Sequence, residues 1–495
     1  MDRLTYSAKA LLLGLAVAQA LATLQVYLSN LDLCLNLVVM KAGGYLVVPN
    51  DKIISHLREV GPAFFGGLFF TLSVGAGLSL LSLAAAWVWE RLFFRNKFLL
   101  VPLVLLWVGL LVAVNHQGPS PLATSYVLII VPVVFAAACR WMPAPPDRPI
   151  WPKRLVQIMP LSVLAAMGAY QVNGQLFSDV RDYLLLSNPL GTRLNDFYYE
   201  YTLYPAEVFK ALDQKLLKTA NVEALREKNL AQTVGRALPE YDYLPVREEL
   251  LVDLKVSQEG RDLVFMHQGE RVLRVPASDF FSAPGKALLE FSARTDRSEL
   301  LRRLTFLSLL VGLPLTLYLL LFAILRLALS FVMDIGTSSM ISTGICFLMG
   351  VSLLLYFVSL RPKEIDAKEL AGALQSERWQ VRVAALKGIE RQGLEIGAFP
   401  AYKNLLTSPE IPERYWMARA LGLSRQPGTY RDLMRLLDDP HPNVASMALY
   451  ALGKRGDPGV TEEIKKRVET SPHWYVQWYG YKALRTLGWK QEAST

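Results

Sequence analysis

Seven apolar runs punctuate the chain, at residues 8–28, 61–89, 98–114, 122–138, 155–170, 304–325 and 340–360. Each approaches the ~20 residues with which an α-helix crosses the hydrocarbon core of a bilayer. Lipid offers a backbone N–H or C=O no partner, so such runs are confined to helices that satisfy their own hydrogen bonds and pack as a bundle. Composition agrees: 52% hydrophobic and 19% charged residues with a mean hydropathy of +0.27 are too apolar for an ordinary soluble multidomain protein. The net charge of +9 is modest for 495 residues and gathers beside the apolar runs, which points to membrane orientation and acidic headgroups and away from nucleic acid. Cys34, Cys139 and Cys346 lie far apart with no CxxC spacing, so neither a disulfide framework nor a zinc site is expected.

The first run holds Ala18-Gln19-Ala20, which looks like a signal-peptidase site, but the run continues unbroken to Leu28 and is expected to stay as an anchor. The short basic loops at 90–97 and 140–154, the latter with Trp141 and Trp151 as interfacial anchors, belong in the cytoplasm. The amino terminus then lies inside, with loops 29–60 and 115–121 outside. Alternation over seven spans places the middle segment and the carboxyl-terminal region outside a bacterial inner membrane. Arg294, Arg297, Arg302, Arg303, Arg361 and Lys363 come out on the same side, against the positive-inside trend. Spans two, three and four carry no ionisable side chain in their apolar cores, which argues against a proton- or ion-coupled transporter.

Small residues recur at helical spacing in the second run, Ala63 with Gly67 and Ser73 with Gly77. They mark either packing within the bundle or a homo-oligomer face. Before that run, residues 31–37 alternate strictly and predict a strand, with 45–48 returning as the second arm of a hairpin. Asn50 or Asp51 is placed to cap a short helix over 52–60. Residues 172–303 turn water-soluble and predict an α+β domain: helices near 177–186, 192–201, 206–219 and 222–236, then strands at 249–256, 263–267 and 271–275. Three short strands make a poor sheet alone, so the 31–48 hairpin is expected to join them.

The stretch 193–205 clusters Tyr198, Tyr199, Tyr201 and Tyr204 beside Arg193, a composition suited to the headgroup level of a membrane. Asp196 and Glu200 stand at the i,i+4 spacing that puts both carboxylates on one helix face. With Asp32 and Asp51 of the first outer loop they are the only catalytic candidates, and paired carboxylates alone are weak evidence for acid–base chemistry. No histidine pairs at metal-ligand spacing, and neither a metal nor a cofactor is expected.

The carboxyl-terminal region repeats itself. The pairs Gly388-Ile389, Ala420-Leu421, Ala451-Leu452 and Ala483-Leu484 recur every 31 or 32 residues; seven positions before three of them stands a valine, Val381, Val444 or Val476, and before the fourth Glu413. Residues 374–386 and 437–449 carry the pattern most clearly. The region 366–489 resembles HEAT repeats of the short, phycobilisome-lyase-like type. That resemblance implies an α-solenoid and a protein-binding surface. The last repeat is rich in aromatics, Trp474, Tyr475, Trp478, Tyr479 and Tyr481, which are either extra core or a partner-binding surface.

The sequence therefore predicts a mostly α protein: a membrane bundle (1–171, with a folded outer loop at 31–60), an extramembrane α+β domain (172–303), two further spans (304–360) and a solenoid of HEAT-like repeats (361–495). Three roles fit: a membrane scaffold that holds a protein partner, an integral-membrane enzyme acting on a lipid-linked substrate in the manner of a transferase, or a transport subunit. The first accounts for the repeats without catalytic residues.

Overall fold

The computed structural model describes residues 2–143, 151–247 and 252–491. The 144–150 part of the basic loop, the Trp151 side chain and the first residues of the strand expected at 249–256 lie outside the described residues and side chains.

Helix α1 (Asp2–Ala42) is a single helix of 41 residues, about 60 Å at ~1.5 Å per residue, twice the ~30 Å of a hydrocarbon core. Ala18, Ala22, Val26, Asn30, Cys34 and Leu37 form one buried stripe along it at the three- and four-residue spacing of a helix face. The strand expected at 31–37 is therefore corrected. A leucine at every second position travels around a helix, so Leu37 is buried while Leu35 is 49% exposed, and the interior is reached by Cys34 instead. Residues 45–48 form no strand either. Asn50 does cap the next helix, Asp51–Ile54, by accepting from the Lys52 amide.

Among the described residues, six helices are long and apolar enough to cross a membrane: Thr5–Ala42 of α1, α2 (Val60–Arg91), α3 (Lys97–Val114), α4 (Pro121–Trp141), α8 (Glu299–Leu329) and α9 (Ile335–Leu360). The fifth apolar run lies in helix α5 (Trp151–Tyr170), where Leu164 sits against Gly350 of α9. Glycines set the close crossings. Gly67 abuts the α1 backbone at Ala22 and Thr23, Gly75 meets Ala18, and Gly77 meets Ser308 and lies close to Gly312 of α8. Thr71 Oγ1 donates to Gln19 Oε1 at 2.7 Å, and Gln19 Nε2 donates to the Phe64 carbonyl at 2.8 Å. The Ala63/Gly67/Ser73/Gly77 face, which the sequence leaves as either bundle packing or a homo-oligomer face, is filled by α1 and α8 of the same chain, because only residues this small let three helices meet there.

The middle domain opens with α6 (Pro189–Tyr201) and α7 (Leu203–Phe209). Its five-stranded sheet runs β2-β1-β3-β4-β5, with β1 (Lys218–Asn221), β2 (Tyr243–Pro245), β3 (Leu254–Glu259), β4 (Asp262–His267) and β5 (Glu270–Pro276). β1 pairs in parallel with β2 and β3, and β3, β4 and β5 form an antiparallel meander. The extra strands that complete the sheet are β1 and β2, not the 31–48 hairpin. The helix expected over 206–219 stops at Phe209, and the one expected over 222–236 begins at Lys228. Gln268 and Gly269 turn the last hairpin with φ of 50° and 83°, as a two-residue loop matched to strand twist requires. Phe265, Phe280, Phe291 and Leu238 are fully buried between the sheet and its helices.

The repeats stack as helices α10 (Trp379–Gln392), α11 (Ile411–Leu421), α12 (Pro427–Leu436), α13 (Pro442–Arg455), α14 (Thr461–Thr470) and α15 (Trp474–Thr486). Their alanines and leucines make one continuous core. Glu413, the exception to the valine rule, is fully buried and pairs with Arg382 of the preceding repeat at 2.6 Å. Arg414, 32 residues after Arg382, repeats the gesture toward Asp439 at 2.6 Å.

Candidate functional site

The middle domain, residues 43–59 and the repeats meet at one end of the bundle as a headpiece, joined by three contacts of different chemistry. At the first repeat, Asp179 and Asp182 precede α6 on one short helical segment. Arg361 Nη2 approaches Asp179 Oδ2 at 2.8 Å, and Lys387 Nζ of α10 lies 3.1 Å from Asp179 and 2.9 Å from Asp182. Asp182 is fully buried and also takes Arg181 at 2.6 Å and the Trp416 indole N–H at 2.8 Å. Burial alone would raise its carboxyl, but Arg181 and Lys387 hold it below the usual carboxylate range.

At the last repeat, α6 meets α15 through aromatics. The Tyr199 and Tyr475 rings lie 4.6 Å apart, and the Trp474 indole N–H donates to the Tyr199 carbonyl. His441 and His473 stand at the N-caps of α13 and α15, each Nδ1 accepting a backbone amide, and His441 Nε2 is 3.1 Å from Asp196 Oδ1. Both rings are held neutral chiefly by burial, which pushes the His473 imidazole down to about 4 and His441 below its ordinary value.

The third contact comes from the loop after α1. The Asn50 amide N–H donates to Gln477 Oε1 at 2.8 Å, and its Nδ2 donates to the carbonyls of Val468, Glu469 and Ser471 at 3.1, 3.0 and 3.0 Å. Those carbonyls belong to the orphan set at the carboxyl end of α14, and the Lys52 ammonium bonds Thr470 O at 2.6 Å, where a cation meets the negative end of the helix dipole. Alongside, Tyr481 donates to Asp242 Oδ1 at 2.6 Å and Arg485 approaches the same oxygen at 3.1 Å.

Between α1, the sheet domain and the last repeat lies a cavity of about 270 Å³. Its walls include Asp32 and Asn36 of α1, Glu207 of α7, Lys215 and Asp253 of the sheet domain, and Trp478 of α15. Lys215 pairs with Asp253 at 3.0 Å, and that charge holds its ammonium above the ordinary value. Lys218 is buried 4.7 Å over the Tyr243 ring, and burial pushes it down.

The sequence-derived candidates separate. Asp32 lines this cavity, whereas Asp51 lines a different one and pairs with Lys41 at 2.5 Å. Asp196 faces His441, and Glu200 is exposed; the structure does not gather these acids into one reaction centre. Trp474, Tyr475, Trp478, Tyr479 and Tyr481 cluster as a contact surface, but the surface is turned inward onto Tyr199 and Asp242. Of the residues expected at the membrane interface, Arg193 and Tyr198 are exposed, Tyr199 and Tyr201 are half-buried, and Tyr204 is buried against Gly66 of α2. Sequence reasoning missed Asn50 as a clamp, together with Asp179, Asp182 and Lys387. Asp179 and Asp182 stand three apart, a spacing that marks one helix face but names no partner. Among the described residues no group of His, Cys, Asp or Glu converges to hold a metal ion.

A family model for HEAT repeats matches residues 399–485, so the carboxyl-terminal helices are HEAT repeats. No curated protein and no solved structure matches the chain.

Proposed function

We propose that the protein is an integral-membrane scaffold that holds its HEAT repeats in a fixed pose over an extracytoplasmic headpiece and presents their outer helices to a protein partner. The observation that carries this reading is the docking of the solenoid at both ends onto the chain's own membrane-proximal elements. The aromatic face is consumed internally. What stays uncovered is the outer layer, where Lys403, Arg435 and Lys466 are exposed at positions one repeat apart. Such a row favours a partner with an acidic surface, because complementary potentials steer encounter and fix register.

Arg294, Arg297, Arg303 and Arg361 pair with Glu290, Glu270, Glu299 and Asp179 at 2.6, 2.9, 2.5 and 2.8 Å, and Arg302 pairs with Asp296. A segment as long as residues 172–303 translocates largely regardless of its basic residues, so these arginines do not decide against the extracytoplasmic placement. A reaction on a lipid-linked substrate is the second reading, favoured by the cavity that sets Asp32 beside Lys215 and Glu207.

Gentle detergent extraction from the native membrane separates the two. The scaffold reading predicts a stoichiometric partner that is lost when Lys403, Arg435 and Lys466 are all changed to Glu, and kept when three exposed basic residues of the middle domain are changed instead. Purification alone, with Asp32→Asn abolishing the cellular effect at unchanged abundance, would overturn it in favour of the enzyme.

A further inference from the structure

Helix α6 has two faces with different surroundings. At about 100° per residue, Phe197, Leu190, Tyr201, Leu194 and Tyr198 fall in one arc of roughly 100°, the width of an apolar stripe that an amphipathic helix buries. Asn195, Tyr199 and Asp196 fall on the other side. That second side is occupied: it carries Tyr475, Trp474 and His441 of the solenoid. Among the described residues the apolar side is covered at its edge, by Phe65 of α2, whose ring lies 5.6 Å from Phe197 and 5.0 Å from Tyr201. Leu190, Leu194 and Tyr198 remain 78%, 58% and 49% exposed.

The exposed arc continues into the outward surface of a membrane helix. Val60, Phe64 and Phe65 at the start of α2 are 62%, 43% and 39% exposed, and α2 is one of the helices apolar and long enough to cross a bilayer. Phe65 stands five residues into α2, about 8 Å along its axis, a depth comparable to the ~5–10 Å at which interfacial helices lie. At the flank of the arc is Arg193, exposed and without an ion pair among the described residues, in position to meet a lipid phosphate.

From this continuity we infer that α6 lies in the plane of the bilayer surface, with Leu190, Leu194 and Tyr198 among lipid acyl chains, and that the last HEAT repeats rest on its opposite face. The occupant of the open arc is lipid: a helix that shares its apolar face with a membrane span is presented to the same solvent as that span. The inference rests on the bundle crossing a membrane, and it adds that the bilayer is itself a structural support of the solenoid.

Site-directed spin labelling of the full chain tests it. Single cysteines replace Leu190, Leu194, Leu105 on the lipid-facing side of α3 and Lys403 on the outer solenoid, in a background with Cys34, Cys139 and Cys346 changed to Ala. The protein is reconstituted in nanodiscs of phosphatidylcholine and phosphatidylglycerol, and collision with oxygen is compared with collision with a polar nickel chelate. Labels at Leu190→Cys and Leu194→Cys are expected to favour oxygen several-fold, as at Leu105→Cys, with Lys403→Cys reversed. Labels at both α6 positions that behave like Lys403→Cys while Leu105→Cys stays lipid-like overturn the inference and leave the membrane reading intact. Should Leu105→Cys also favour the nickel chelate, the membrane reading itself fails. Two α6 positions guard against one variant that misfolds.

Discussion

The two ends of the solenoid are fastened to the headpiece by different means. The first repeat is held by charge, with Asp179 and Asp182 sunk among Arg181, Arg361 and Lys387. The last is held chiefly by aromatic rings, neutral histidines and the side chain of Asn50, with Tyr481 and Arg485 meeting Asp242 alongside. A buried charge group tolerates no loss of a member, because the remainder is left unpaired away from water. An aromatic and amide interface loses its contacts one at a time. The ionic end should therefore fail all at once and the aromatic end by degrees.

The largest effect follows from breaking the ionic end. Asp182→Ala strands Arg181 and Lys387 and is expected to cost about 3–5 kcal/mol, read as release of α10 in hydrogen exchange while α15 keeps its protection. Next comes Asn50→Ala, which removes the donor shared by the carbonyls of Val468, Glu469 and Ser471 at the end of α14 and the cap of Asp51–Ile54; about 1–3 kcal/mol is expected, confined to α14, α15 and the loop. An equal loss at α10 would show that the two ends are not independent.

Acid should distinguish the ends without mutation. The folded His473 lies near about 4 against an ordinary 6.5, so below 6.5 the opened state takes up a proton that the docked state refuses. Docking of α15 is present in full above 6.5 and weakens as pH falls toward 4. Asp182 works the other way: its folded value is lowered from 3.8, so its contribution is intact above 3.8 and is lost only in stronger acid. Between roughly pH 6 and 4.5, inside that window, exchange should rise at α15 before α10. The smallest effect is expected from Tyr199→Leu, which leaves a smaller apolar side chain in place and gives up the ring contact with Tyr475 across the interface, worth about 0.5–1.5 kcal/mol.

Much of the architecture was legible because its signals are long. Six of the seven apolar runs mark the candidate spans among the described residues, although the first helix continues to Ala42 and the run at 155–170 falls short of one, and the 31- or 32-residue period marks the solenoid. The failures fall where a short pattern is ambiguous. Leucines at 31, 33, 35 and 37 read as a strand, yet the helix that entered at Asp2 simply continues, with Asp32 and Asn36 turned to a cavity and Cys34 to the core. Lys218–Asn221 is a four-residue strand, all buried, and the polar letters Lys, Thr, Ala, Asn carry no period that announces it. The docking residues were illegible for a further reason: Asn50 and Gln477 are 427 positions apart, and nothing local in either stretch encodes the other.

The central claim is that the middle domain and the HEAT repeats occupy the same end of the bundle, opposite the loop between α2 and α3. Single cysteines at Arg261 in the sheet domain, Lys466 in the solenoid and Phe94 in that loop, all exposed, can be challenged with a membrane-impermeant maleimide on spheroplasts of a bacterial host. Labelling of Arg261→Cys and Lys466→Cys with protection of Phe94→Cys is the result expected for the extracytoplasmic headpiece. If Arg261→Cys and Lys466→Cys label from opposite sides, the solenoid and the middle domain do not share a face and the account is wrong.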